Sequence, residues 1–113
     1  LDAVVATFPD DGTYRLFSGV PTDGGELAAD GGYAPAAHGV ADWAAAADGS
    51  VTTTVPVSLG TSSGAYSGTA YYWAVCDAAG AVVYWDLLPK PITVTTAGTP
   101  VSFQPALYFR NDF

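Results

Sequence analysis

Alternation is the main signal along this chain. Val51, Thr53, Val55, Val57 and Leu59 fall on one parity, with Thr52, Thr54 and Ser58 on the other. That is the two-residue period of a strand with one buried face. Ile92 and Val94 alternate with Thr93 and Thr95, and Val101, Phe103, Leu107 and Phe109 oppose Ser102, Gln104 and Arg110. One-sided strands of this kind suit an antiparallel sheet. A different pattern marks residues 71–76 and 81–85, where large side chains occupy both parities. The Asp77-Ala78-Ala79-Gly80 connection between them reads as a hairpin around a type I turn, with Gly80 at positive φ. Bulk on both faces predicts a central hairpin, packed on both sides or against a neighbouring subunit.

Turn residues recur at the spacing expected of sandwiches and barrels. The strands predicted are residues 3–8, 13–18, 33–38, 50–59, 69–76, 81–87, 92–96 and 101–109. Only the Ala-rich residues 41–47 carry a helical signal, one or two turns long. Pro56 and Pro105 fall inside predicted strands, which places both at edges or bulges. After the strand ending at Phe17, Pro21, Gly24, Gly25, Gly31 and Gly32 forbid a helix and predict a long polar loop. That loop reads as a flexible arm, and the Ser- and Gly-rich residues 60–68 read as an open loop that would accept an inserted tag. The fold expected is all-β: one domain over residues 1–113, an antiparallel β-sandwich of about eight short strands, jelly-roll or immunoglobulin-like.

Composition narrows the function. A chain of 113 residues supports one core. Only 12% of residues are charged, about half the usual ~25%, so the expected surface is neutral and partly covered by neighbours. The balance of 3 basic against 11 acidic residues gives a net charge of −8. Nucleic acid and anionic membranes are therefore not expected partners, since both require clustered Lys and Arg. Four acids sit in turn dipeptides: Asp11-Gly12, Asp23-Gly24, Asp30-Gly31 and Asp48-Gly49. Cys76 is the single cysteine, so no intramolecular disulfide is expected. No apolar run approaches a membrane span, and no signal-peptide pattern opens the sequence. The start at Leu1 leaves room for an upstream piece.

Catalysis should leave a constellation of residues, and none is legible. His38 has no Cys or Glu at ligand spacing and reads as a surface or hydrogen-bonded residue. Cys76 lies within the aromatic hairpin with no basic residue nearby in sequence, and reads as a small hydrophobe. No Gly-x-Ser-x-Gly elbow supports a Ser-His-Asp triad. Asp10, Asp11, Asp23 and Glu26 read as solvated loop acids rather than a glycosidase pair. Asp23, Glu26 and Asp30 would suit Ca²⁺ by chemistry but lack EF-hand spacing. Lys90, the sole lysine, sits between Pro89 and Pro91 in no phosphate loop. No catalytic residue, metal or cofactor is therefore expected. The aromatics remain: Tyr72, Tyr84, Trp85, Trp43 and Tyr108 are the candidate interface or binding residues, with Tyr71 and Trp73 beside them. Such rings fill cores, cover subunit contacts or stack on sugars.

Three segments carry a resemblance. Tyr14-Arg15-Leu16-Phe17 with Pro21-Thr22-Asp23-Gly24-Gly25-Glu26 and Gly31-Gly32-Tyr33-Ala34 is the first. Trp73-Ala74-Val75-Cys76-Asp77-Ala78-Ala79-Gly80 is the second, and residues 92–103 with Thr96-Ala97-Gly98-Thr99-Pro100 the third. Together they resemble a family of small tailed-bacteriophage virion proteins, the tail-fibre-like or head-decoration proteins. Relatives often begin with a short amphipathic helix, which this sequence was not expected to have. The resemblance implies a non-enzymatic structural protein on the virion, on the capsid exterior or in the tail. The function expected is a capsid decoration (cement) protein that binds the major capsid protein lattice and copies of itself, commonly as a trimer. The alternatives are a tail-fibre or tail-tip component and a carbohydrate-binding β-sandwich module that takes a surface glycan.

Overall fold

A computed structural model of the chain describes residues 2–108. The aromatic hairpin forms as its turn chemistry predicts. Strand β5 (Ala70–Cys76) and strand β6 (Val82–Ile92) pair antiparallel. The Gly80 amide donates to the Asp77 carbonyl at 2.9 Å and the Asp77 amide to the Ala81 carbonyl at 2.9 Å. Asp77 Oδ1 also accepts the Ala79 and Ala81 amides. Gly80 adopts φ 88, a left-handed conformation that a side chain would strain. On its other edge β5 pairs with β1 (Gly12–Phe17), which pairs in turn with β2 (Ala36–His38), for a sheet order β2-β1-β5-β6. So β5 is central, while β6 lies at the sheet edge.

The rest of the strand structure is a ribbon that breaks in the middle. Strand β3 (Ser50–Thr52) pairs with β8 (Ala106–Tyr108), and β4 (Val57–Thr61) pairs with β7 (Pro100–Phe103). Residues 53–56 and 104–105 interrupt it, where Pro56 and Pro105 remove ladder donors. The Gln104 side chain bridges the gap by donating to the Thr53 carbonyl at 2.7 Å. A two-residue turn at Asp48 (φ 53) and Gly49 (φ 77) feeds β3, with Ala47 and Ser50 exchanging backbone hydrogen bonds. Tyr14, Leu16, Trp73 and Val75 from the sheet and Val51, Val57, Val101, Phe103 and Leu107 from the ribbon belong to one buried cluster. The all-β, antiparallel expectation holds, and the pairing takes the form of one four-stranded sheet and two two-stranded pairs.

Several local expectations fail for identifiable reasons. Residues 3–8 are not a strand: α1 (Asp2–Val5) is a helical turn, closed by the Thr7 and Phe8 amides on the Val4 and Val5 carbonyls. Its buried residues, Val5 and Phe8, are three apart, a helical spacing that a strand does not give. The predicted strand 50–59 splits, and Val55 turns outward to 67% exposure because Thr53 Oγ1 bonds the Val55 carbonyl and tightens the chain ahead of Pro56. Residues 41–47 form only part of a 3-10 turn, Val40–Asp42. Residues 92–96 are no separate strand, since Ile92 ends β6. The expected strand 101–109 breaks at Gln104-Pro105, and Phe109 and Arg110 lie outside the described residues.

The long loop after β1 is not an arm. The Ser18 amide bonds the Gly25 carbonyl and the Leu27 amide bonds the Leu16 carbonyl, so residues 25–27 run back along β1. Arg15 Nη1 meets Glu26 Oε1 at 3.0 Å. The Tyr33 hydroxyl donates to Glu26 Oε2 and accepts the Leu16 amide, each at 3.0 Å. Gly31, at φ 66, packs so close that a Cβ would collide with the Ala65 carbonyl oxygen, and its own carbonyl accepts the Ser63 amide. The same contacts pin residues 60–68. Ser62 and Tyr66 are buried, Ser62 Oγ donates to the Thr96 carbonyl and accepts the Thr99 amide, and the Tyr66 amide bonds Val94. That stretch is closed by its partners and is a poor place for a tag.

Candidate functional site

Cross-strand partners share a face, so the register defines both sides of the four-stranded sheet. One side carries the rows Leu16–Trp73–Asp86 and Tyr14–Val75–Tyr84 and faces the core. The other carries Phe17–Tyr72–Leu87, Arg15–Ala74–Trp85 and Thr13–Cys76–Val82. Phe17, Ala74 and Cys76 form a small second buried cluster there, with Tyr72 and Val82 packed against it. The 3-10 turn Pro21–Asp23 approaches β5 and β6, and Trp85 and Leu87 stay open at 36% and 60% exposure.

Five aromatics were candidates for a contact or binding surface, and the structure divides them. Tyr72 and Trp85 are neighbours on the outer face, ring centroids 5.6 Å apart and 73° from parallel. Trp43 is buried in the core. Its Nε1 donates to His38 Nε2 at 3.0 Å, which leaves His38 Nδ1 to carry the proton donated to the Pro9 carbonyl at 2.7 Å. Tyr84 points inward, 5.5 Å from Phe8 and 5.7 Å from Trp73. The surface expectation for Trp43 and Tyr84 is thus corrected: both rings are core. Tyr108 is exposed and lines a cleft of about 210 Å³ with Leu87 and Pro89 of β6. Leu87 belongs to the same outer surface, and its shared parity with Trp85 is the signal in the sequence that marks it.

The polar residues are occupied structurally. Asp42 accepts the Tyr14 hydroxyl at 3.1 Å and the Gly39 amide, and Asp10 accepts the Val40 amide. Burial pushes the Tyr14 phenol far above its ordinary range, and the Asp42 charge adds to the shift. Burial does the same to Tyr33, against the Leu16 amide, which lowers it, and with Glu26, which raises it. Burial also raises the Cys76 thiol and outweighs Arg15, which the fold brings close enough to lower it. A buried thiol held protonated is a poor nucleophile. Among the described residues no three of His, Cys, Asp or Glu are placed to hold a metal ion, and no helix is long and apolar enough to cross a membrane.

A cleft of about 320 Å³ lies between the end of β6 and β7 and is lined by Pro89, Lys90, Pro91, Ile92 and Phe103. It gathers no pair of acid–base groups. The outer face is a poor sugar platform as well, because rings 73° apart cannot both stack on one flat pyranose. What it offers is apolar area suited to another protein surface. No protein-family model, curated protein or solved structure matches this chain.

Proposed function

We propose that this chain is a non-enzymatic structural protein of a bacteriophage virion, a capsid decoration protein that binds the major capsid protein lattice from outside. The observation that carries the reading is the open apolar patch of the outer sheet face, Trp85 and Leu87, with the half-buried Tyr72 beside them. The fold does not need these side chains exposed, and no acid–base or metal-binding set accompanies them. The sequence resemblance over three segments supplies the virion context. Further contact area is available at Val55, 67% exposed, and Tyr108, 58% exposed. Small contacts of this kind become strong when repeated over a lattice, because each bound copy is held at high effective concentration.

Co-sedimentation with capsid shells of the encoding phage tests the proposal. The expected result is saturable pelleting in fixed ratio to the capsid protein, with decorated shells surviving heat or low salt that breaks bare ones. Absence of pelleting with shells would overturn it. Pelleting with isolated tails instead would assign the protein to the tail, and binding to a glycan array lost in Trp85→Ala would assign it to the carbohydrate-binding class.

A further inference from the structure

We propose that the cleft between β2 and the break in the ribbon is a pocket for a basic side chain, lysine or arginine, of a partner protein. The cleft encloses about 220 Å³, with Tyr14 and Asp42 among apolar walls from Ala36, Val55, Pro56 and Val57. Asp42 closes the 3-10 turn Val40–Asp42 that follows β2. Its Oδ2 is used twice, by the Tyr14 hydroxyl at 3.1 Å and the Gly39 amide at 3.0 Å. Among the described residues its Oδ1 accepts nothing.

The balance of donors and acceptors is the first argument. The Tyr14 proton is donated to Asp42, and the Thr53 hydroxyl proton to the Val55 carbonyl at 2.7 Å. Burial and the Asp42 charge both hold the Tyr14 proton in place. Pro56 has no N–H, and Ser58, the remaining hydroxyl, is exposed and can turn either way. What the buried end of the cleft offers is acceptors, Asp42 Oδ1 and the Tyr14 oxygen. Lysine and arginine are the charged side chains that donate and never accept.

Charge is the second argument. Asp42 is the only charged residue in the lining. The described basic groups lie elsewhere: Arg15 pairs with Glu26, and Lys90 lines the cleft beside β7. The counter-charge is therefore left to a partner. A single carboxylate is too few ligands for a metal ion. The apolar walls, with Val55 67% exposed at the mouth, suit the methylene stem that a basic side chain lays along apolar surface.

Titration of the purified protein with N-acetyl-lysine methylamide and N-acetyl-arginine methylamide, followed by amide chemical shifts, tests this. No capsid is involved, so its failure and that of the virion reading are separable. At least one probe should give saturable shifts at Ala37, Val55 and Val57, with a Kd on the order of 10 mM, and the tighter one identifies the partner's residue type. N-acetyl-norleucine methylamide, with a similar stem and no charge, should bind about tenfold more weakly. Asp42→Asn should weaken the charged probes by a similar factor, and its amide oxygen still accepts the Tyr14 hydroxyl and the Gly39 amide. Should that variant not fold, the norleucine comparison on wild-type protein decides. Absence of saturable shifts overturns the proposal, as does norleucine binding as well as the charged probes, or undiminished binding in folded Asp42→Asn. Equal shifts beside the exposed Asp11 and Asp23 would also overturn it, as general attraction to a chain of net charge −8.

Discussion

The two faces of the four-stranded sheet are built from the same strands, yet they have opposite fates. On the inner face Leu16, Trp73 and Val75 are fully buried under the ribbon. On the outer face only Phe17, Ala74 and Cys76 reach that state, and Trp85 and Leu87 remain open beside them. The difference lies in what returns over each face. The inner side receives Val51, Val57, Val101, Phe103 and Leu107 from the ribbon. The outer side, among the described residues, has the turn Pro21–Asp23 near it. The inner face therefore determines the fold, and the outer face is surplus apolar surface that a partner can use.

Breaking the inner face should have the largest effect. Trp73→Ala removes a ring with no exposure and should cost about 3–5 kcal/mol in denaturant unfolding. Trp73→Phe should cost far less, because the buried Trp73 Nε1 has no hydrogen-bond partner and phenylalanine has no such donor to leave unpaired.

The latch between the faces comes next. Tyr33→Phe leaves the buried Leu16 amide and one Glu26 oxygen without their shared hydroxyl, which should cost about 1–3 kcal/mol. Amide exchange at Leu16 and Leu27 should speed up with it.

Both faces also carry a pH signature. Tyr14, Tyr33 and Cys76 have folded-state values raised above their ordinary ones, chiefly by burial. Each holds its proton more tightly folded than unfolded, so its contribution is complete below the unfolded value and is lost as pH climbs past it. Stability measured by chemical denaturation should begin to fall above pH about 8.5, where an unfolded thiol ionises, and more steeply above about 10, where unfolded phenols do. Tyr14→Phe should flatten the steeper part.

The smallest effect on stability belongs to the outer face. Leu87→Ser and Trp85→Ser should shift the unfolding free energy of the monomer by no more than about 0.5 kcal/mol, as exposed positions do. A loss as large as that of Trp73→Ala would place these side chains in the core and erase the contrast.

Much of the inner face was legible from the sequence. The Asp77–Gly80 turn and the Asp48-Gly49 turn follow from local chemistry that holds in any context, while Pro56 and Pro105, expected at edges or bulges, instead break their strands. The division among the aromatics did not. Tyr84 and Trp85 are adjacent and equally bulky, and which one faces inward is decided by their pairing with Val75 and Ala74, in a register set beyond the shift at Val83. Trp43 goes inward because His38, five residues earlier at the end of β2, presents its ring nitrogen to the Trp43 N–H. The loop after β1 looked free because Arg15, Glu26 and Tyr33 are spread along the sequence, and only the fold shows them converging. Val5 and Phe8 belong to a short apolar run, which does not reveal its period.

Hydroxyl-radical footprinting of the protein with and without capsid shells tests the contrast between the faces most directly, because it reads each side chain separately. Trp85 and Leu87 should be oxidised in the free protein and become protected on shells, with Trp73 protected throughout. Oxidation of Trp85 and Leu87 that shells leave unchanged, or oxidation of Trp73 equal to theirs in the free protein, would contradict the account.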